Sequence, residues 1–249
     1  LFYKKDSPNY HYSGIRTPWV ADPWAHAAAL WPQTIAAVDM MHKDIVPLWT
    51  PYEAAGQPLL ANLGSGMYNP IRMVYFYFFH SLKASDIFII LRIIAMGFGM
   101  FLFLKVSGLV KESALLGGTT YAFAGFFISN ITIWFNDIFT TLPYLLFVSE
   151  KYFEQRKWLF VGLGGLIFSI LIFGSHPEIT VICGIYFIIY FIFKIFTDKQ
   201  WRIYWLKDFG KLFLLCLLGS LIATPLVVDL FTFIQVGYPY HWSPVVAVS

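Results

Sequence analysis

Ionisable residues interrupt the apolar stretches of this chain at a few positions, and these are the first candidates for chemistry. Asp137 follows Asn136 at the start of one apolar stretch, and His176 and Glu178 belong to a turn, GSHPE, between two others. Arg92 lies about two helical turns inside a further one. Ionisable groups in apolar surroundings are costly and usually face a charged partner or a wet cavity. We therefore expect several of them to line one polar pocket.

Each of these residues also has a purely structural interpretation. Asp137 equally suits the N-cap of its helix, and Arg92 suits a side chain that extends to the membrane interface or pairs with a neighbouring carboxylate. His176 and Glu178 also fit the end of one helix and the start of the next. Asp229, near the end of the last apolar stretch, is expected to pair within a helix bundle. Both interpretations stay open at this point.

A second candidate site lies in the segment 47–70, PLWTPYEAAGQPLLANLGSGMYNP. It is rich in Pro, Gly and Asn, so turns are expected rather than helix, and its glycines permit close approach of a ligand. Its aromatic rings offer faces on which a sugar or a lipid can stack. The candidate substrate-binding residues here are Trp49, Tyr52, Gln57, Asn62 and Tyr68.

The composition indicates that lipid surrounds most of the chain. Only 12% of the residues are charged and 58% are hydrophobic, whereas soluble domains have about 25% charged residues. A net charge of +3 does not suggest a nucleic-acid partner. Cys183 and Cys216 both lie in apolar stretches, which indicates neither a disulfide framework nor a cysteine metal site. Walker, GxGxxG, HExxH and GxSxG motifs are absent from the sequence, which argues against ATP-driven transport.

We predict an all-α, polytopic transmembrane helix bundle. About six apolar stretches approach the length that a bilayer requires. The second and third are short and contain glycines or a proline, so tilted or partly re-entrant segments are expected there. The predicted helices are 86–106, 114–129, 134–150, 158–174, 179–196 and 212–234.

Residues 1–70 differ from this bundle, which we assign to 71–249. They hold eight of the thirteen prolines and no long apolar stretch, as expected of an ordered loop at the membrane interface. Short helices are predicted from Asp22 to about Lys43 and from Pro70 to Leu82. The chain begins with Leu1 rather than Met and stops just after an apolar stretch, so we expect a fragment truncated at both ends.

The distribution of lysine and arginine predicts the orientation. The turns 105–113, 150–157 and 194–211 are basic, whereas the alternate connections 130–137 and 174–178 and the tail 235–249 have no Lys or Arg. Because positive residues stay in the cytoplasm, the basic turns are predicted to lie inside the cell. Residues 1–70 then form a large extracytoplasmic loop of a multi-pass cell-membrane protein.

Four sequence blocks, in this order and spacing, resemble the YfhO-like bacterial membrane protein family. They are LWTPYEAAGQPLLANLGSGMYNP in 48–70, YAFAGFFIS at 121–129, LPYLLF at 142–147 and GSHPE at 174–178. Members of that family look like GT-C-fold glycosyltransferases. The resemblance implies transfer of a sugar from a polyprenyl-phosphate carrier to an acceptor outside the cytoplasm, such as a cell-wall polymer or a glycan.

The resemblance also implies roles for individual residues. GT-C enzymes carry an essential acidic residue in the first outer loop, and the matching position here is Asp22, as general base for the acceptor hydroxyl. Asp22 also suits a helix N-cap before Pro23, and the two roles are compatible. Arg16, Arg92 and His176 are candidates to stabilise the departing phosphate, and Glu178 is added as a substrate-binding candidate. No metal ligand is assigned, but a single Asp in place of a paired acidic motif leaves dependence on a divalent metal open.

Two other functions compete with glycosyl transfer. A transporter or lipid-carrier flippase of the cell envelope would use the acidic groups as proton or ion sites. Such a protein would be expected to have internal repeats, and none stands out in this sequence. The third alternative is a non-catalytic subunit of an envelope assembly.

Overall fold

The computed structural model describes residues 30–50, 56–59, 66–174, 176–197 and 201–236. These residues are mostly helical, as predicted. A short antiparallel pair of strands, β1 (Trp49–Thr50) and β2 (Gln57–Pro58), is also present. The helices are α1 (Trp31–Met41), α2 (Pro70–Phe78), α3 (Leu82–Val106), α4 (Lys111–Ala122), α5 (Gly125–Ser129), α6 (Asn136–Gln155), α7 (Trp158–Ile172), α8 (Pro177–Thr197), α9 (Trp201–Ile222) and α10 (Thr224–Val236).

Capping residues determine where α2 and α3 begin. The side chain of Asn69 accepts hydrogen bonds from the backbone N–H groups of Ile71 at 3.1 Å and Arg72 at 3.4 Å. Ser81 accepts one from the N–H of Ala84 at 3.1 Å. Such bonds satisfy N–H groups that have no partner inside the helix. As a result α2 ends at Phe78 instead of Leu82, and α3 begins at Leu82, four residues before the predicted start at 86.

Two of the stretches predicted as single continuous helices are interrupted in the structure. The stretch 114–129 is divided between Ala122 and Gly125 into α4 and α5. The last predicted helix, 212–234, begins already at Trp201 and is interrupted at Ala223, with a bend of 63° between its two parts. Pro225 explains the second break, because proline has no N–H to donate and its ring collides with the preceding helical turn.

The number of spans is supported only in part. Among the described residues, α3 and α8 are long and apolar enough to cross a membrane, and a third span results if the bent pair α9 and α10 is taken together. Helix α7 is apolar but has only 15 residues. The chain therefore has membrane-spanning character in two or three helices, and a bundle of about six spans stays a prediction.

Contacts between the helices define their directions. Arg92 and Ala95, in that order along α3, contact Asp137 and Tyr144 of α6. At the two ends of α8, His176 and Lys194 lie beside the beginning and the end of α6. Helices α3, α6 and α8 therefore run parallel. Helices α7 and α9 run the opposite way, since Lys211 of α9 lies over the Trp158 ring at the start of α7.

This arrangement gathers most of the described lysines at one end of the bundle. One end, where α3, α6 and α8 finish, collects basic residues, and we call it the basic end. The opposite end, where α6 and α8 begin, contains Asp137 and His176 and packs against α1 and α2. The described lysines and arginine of the basic end are Lys105, Lys111, Lys151, Arg156, Lys157, Lys194, Lys207 and Lys211.

Buried polar contacts tie the helices together at the basic end. Lys194 of α8 forms an ion pair with Glu150 of α6 at 2.9 Å, and the Tyr190 hydroxyl donates to the same carboxylate. Asp208 of α9 accepts hydrogen bonds from Tyr152 and Arg156. Because both carboxylates are buried, these pairs require a definite register between α6, α8 and α9.

The described residues form two apolar cores. The larger one joins α6, α7, α8 and α9 around side chains such as Leu146, Phe168 and Phe187. The smaller one joins α1, the described part of the segment 56–69, α2 and α3 around Val38, Phe76 and Trp134. The described part of the loop therefore packs directly against the helices.

Candidate functional site

A cavity of about 390 Å³ lies among α2, α3, α6 and α7, toward the end opposite the basic end. Its walls are mainly apolar, and they include Phe88 and Leu91 of α3 and Ile167 of α7. Most of its polar groups belong to α6, which contributes Asp137, and α3 contributes Arg92. Of the predicted substrate-binding residues that the structure describes, Arg92 lines this cavity, together with Asp137, which the sequence also indicated as a candidate for chemistry.

Asp137 is the centre of a buried ionic cluster at this cavity. One carboxylate oxygen, Oδ2, accepts a hydrogen bond from Nη2 of Arg72. The other oxygen, Oδ1, lies 3.3 Å from Nη1 of Arg92. Asp137, Arg72 and Arg92 are 6%, 0% and 5% exposed, so bulk water contributes little to their solvation. Buried charges of this kind require partners of opposite sign.

The turn that precedes α6 completes the surroundings of the two arginines. Arg92 donates through Nη1 to the Ile133 carbonyl at 3.2 Å and through Nη2 to the Ile131 carbonyl. The Arg72 guanidinium lies 4.0 Å from the centroid of the Trp134 ring, which is the separation of a cation–π contact. Backbone carbonyls, an aromatic face and one carboxylate therefore hold both guanidinium groups in place.

Arg72 stays charged in this environment. Burial is the main cause that lowers the pKa of Arg72, to about 10, and Asp137 opposes this shift. A pKa of about 10 still leaves the group protonated at neutral pH. A guanidinium at a cavity wall can bind a phosphate or a carboxylate with geometric precision. Asp137, in contrast, has both oxygens occupied by arginines, so its arrangement suits holding the arginines rather than taking a proton from a substrate.

The helix-capping interpretation of Asp137 is wrong. The N-cap position of α6 is Phe135, and Asp137 lies in the first turn of the helix. Pairing of Arg92 with a neighbouring carboxylate, one of its two structural alternatives, is confirmed. Asp229, expected to pair within the bundle, is half-buried, and its charge contributes to the rise in the pKa of Tyr68.

The other described candidates lie outside this cavity. Trp49 is 54% exposed and lies over Gly56, where an added Cβ would be 2.7 Å from its ring. Tyr68 donates to the Pro47 carbonyl, and its pKa is raised mainly by burial. Gln57 pairs with Thr50 through the strand backbone.

The GSHPE turn is likewise separate from the cavity. The His176 ring packs edge-on against Phe135 with centroids 5.4 Å apart, and its Nδ1 lies 3.9 Å from the exposed carboxylate of Glu178. His176 therefore contacts the turn before α6 through Phe135, which precedes Asp137 by two residues. The predicted residues Arg16, Asp22, Tyr52 and Asn62 lie outside the described residues and stay predictions.

Arg72 and Trp134 were not among the residues predicted from the sequence. A signal for Arg72 was available, because it is an arginine within the apolar stretch IRMVYFYF and the cost of an ionisable group there is the same as for Arg92. Trp134 had no distinguishing signal among the many aromatic residues.

Comparison with known proteins adds no relative: no family model, no curated protein and no solved structure matches this chain. Among the described residues, no group of three or more His, Cys, Asp or Glu side chains is arranged to hold a metal ion.

Proposed function

We propose that this protein is a membrane glycosyltransferase that moves a sugar from a polyprenyl-phosphate donor to an extracytoplasmic acceptor, a glycan or a cell-wall polymer. The observation that carries the proposal is the cavity whose apolar walls end at a buried arginine, Arg92, held by Asp137. A polyprenyl-phosphate sugar has the same two parts, an apolar chain and an anionic phosphate. The resemblance of the four sequence blocks to the YfhO-like family supports the same substrate class.

The chemistry assigns separate tasks to the residues. The phosphate of the donor is the leaving group, and negative charge grows on it as the glycosidic bond breaks. Arg92 stabilises that charge in surroundings that contain little water, where such an interaction is strongest. Asp22 takes the proton from the acceptor hydroxyl as general base. No nucleotide is required, because the phosphate ester already activates the sugar.

The orientation supports transfer outside the cytoplasm. If the basic end faces the cytoplasm, the cavity among α2, α3, α6 and α7 lies toward the outer face, on the same side as the loop 1–70. Donor phosphate, acceptor and the predicted base then meet on one side of the membrane.

Sugar transfer in the full-length protein tests this function. Purified protein in detergent is given a radiolabelled polyprenyl-phosphate sugar and an acceptor glycan, and Arg92→Lys is compared with wild type. Lysine keeps the charge but loses the planar fork of donors, so we expect a loss of about 10²-fold, typical for removing one stabilising donor. Lys83→Gln, on the same helix but exposed, serves as control. Equal transfer by Arg92→Lys and wild type would refute the role of this cavity.

A lipid-carrier flippase is the second candidate, and one observation favours it. Helices α9 and α10 form a broken helix with a bend of 63°, and discontinuous helices are a common feature of transporters. Reconstitution in vesicles separates the two functions. A flippase moves a labelled polyprenyl phosphate between leaflets without any acceptor, whereas a transferase consumes the donor only when the acceptor is present.

A further inference from the structure

The cavity at Arg92 has a mouth on the apolar exterior of the helices. Two of its lining residues, Ile71 of α2 and Leu91 of α3, are 58% and 49% exposed. Further large apolar side chains are exposed on the same two helices: Val74 and Phe78 on α2, and Ile87 and Ile94 on α3. An exterior of this composition is stable against lipid and unfavourable against water. The mouth therefore opens toward the hydrocarbon of the bilayer.

The size of the cavity sets a limit on its occupant. A volume of about 390 Å³ is at the small end of pockets that hold a drug-sized ligand, about 300–1,000 Å³. A carrier with tens of carbon atoms does not fit inside. If its phosphate reaches Arg92, most of its chain has to leave through the mouth.

We propose that Ile71 and Leu91 form the passage through which the isoprenoid chain of a polyprenyl phosphate leaves the cavity for the bilayer. This inference rests on the proposed donor class and adds how the site recognises it. Arg92 binds the phosphate, the walls around Phe88 and Ile167 hold the first isoprene units, and the remaining chain lies in lipid. The site is therefore indifferent to carrier length beyond those first units. It selects the phosphate and the start of the chain.

Substitutions at the mouth separate this passage from a general structural role. Leu91→Trp narrows the opening from its edge. Ile90→Trp is the matched control, since Ile90 is 56% exposed on the same helix and does not belong to the cavity lining. Both changes place an indole on the lipid-facing surface of α3, so general effects on folding or on the detergent shell are shared.

Binding is measured on the full-length protein in detergent by native mass spectrometry, with sugar-free polyprenyl phosphates of two lengths. One is a long carrier of about ten isoprene units, and the other, of one or two units, fits within the cavity. We expect Leu91→Trp to weaken binding of the long carrier at least tenfold and to leave the short one within about threefold of wild type. Ile90→Trp should leave both unchanged. If Leu91→Trp weakens binding of both carriers equally, or weakens neither, Ile71 and Leu91 do not form such a passage.

Two further arms identify the ligand and separate this inference from sugar transfer. A free polyprenol should bind at least tenfold more weakly than the phosphate, and Arg92→Gln should remove that difference. Phosphatidic acid has a phosphate on a different chain, and binding as tight as that of the polyprenyl phosphate would assign the site to phospholipid and overturn the isoprenoid assignment. Absence of sugar transfer together with Leu91-dependent binding of the long carrier would refute the transferase and leave the passage intact.

Discussion

Oδ1 of Asp137 lies 3.3 Å from Nη1 of Arg92, although 45 residues separate the two in the sequence. The contact joins α3 to the first turn of α6 and places a guanidinium at the wall of the cavity among α2, α3, α6 and α7. Arg72 approaches the same carboxylate from α2. Asp137 therefore connects three helices and positions the cation on which the proposed function depends.

Loss of the Asp137 carboxylate should destabilise the fold. Asp137→Ala leaves two buried guanidinium groups without their shared anion, and each of them disfavours the charge of the other. Breaking a buried ion pair costs about 3–5 kcal/mol, and we expect a decrease of that size in the free energy of unfolding. Titration with sodium dodecyl sulfate in mixed micelles measures it. The control is Asp86→Asn, an exposed carboxylate on α3.

The double variant Asp137→Ala with Arg92→Gln checks the mechanism of that loss. If the cost comes from the uncompensated charge, removing Arg92 as well should restore part of the stability, because the two sites are coupled. If the stability losses of the two single variants simply add, the uncompensated charge of Arg92 is not the cause of the loss in Asp137→Ala.

Asp22→Asn should abolish sugar transfer while the protein still folds. An amide has the size of the carboxylate and can still cap a helix, but it is no base at neutral pH. General-base catalysis is typically worth about 10²–10⁴ in rate, so the loss should fall in that range with normal expression. Transfer within a few-fold of wild type would remove Asp22 as base, and Glu178, exposed at the start of α8, would be the next residue to test.

The orientation predicts labelling from opposite sides of the membrane. Lys43→Cys lies in the loop after α1 and Lys157→Cys at the basic end between α6 and α7, and both positions are exposed. Arg156 is left in place because it pairs with Asp208. In a background without Cys183 and Cys216, a membrane-impermeant maleimide should label position 43 in intact cells and position 157 only after lysis. Labelling of both from the same side would contradict the orientation.

Close packing of α7 against α9 should make Gly219 intolerant of a side chain. An added Cβ there would lie 2.8 Å from the Gly165 carbonyl oxygen, which belongs to the backbone and cannot move aside alone. We expect Gly219→Ala to destabilise the protein by about 1–3 kcal/mol, as overpacking usually does. Gly210→Ala, on the same helix with open space at its Cβ, is the control and should be neutral or stabilising. The same detergent titration measures both, and equal effects would contradict the contact.

Local signals predicted the helices well and their interruptions less well. Apolar stretches with turns between them placed α3, α6, α7 and α8 within a few residues, because length and hydrophobicity are properties of neighbouring residues. The break at Ala223 was missed although Pro225 follows it. A proline inside an apolar stretch interrupts the helix in some cases and not in others, and α6 continues through Pro143. Which outcome occurs depends on the packing around the freed backbone carbonyl.

Composition and apolar stretches are enough to predict that this chain is mainly helical, that it contains stretches apolar enough to span a membrane, and that ionisable groups within them need partners. Which groups become partners depends on how the helices pack. Arg72 and Arg92 reach Asp137 across 65 and 45 residues, and no periodicity records such a distance. A buried charge requires a counter-charge, and the residue type alone reveals that requirement. The identity of the counter-charge depends on how helices distant in sequence pack together.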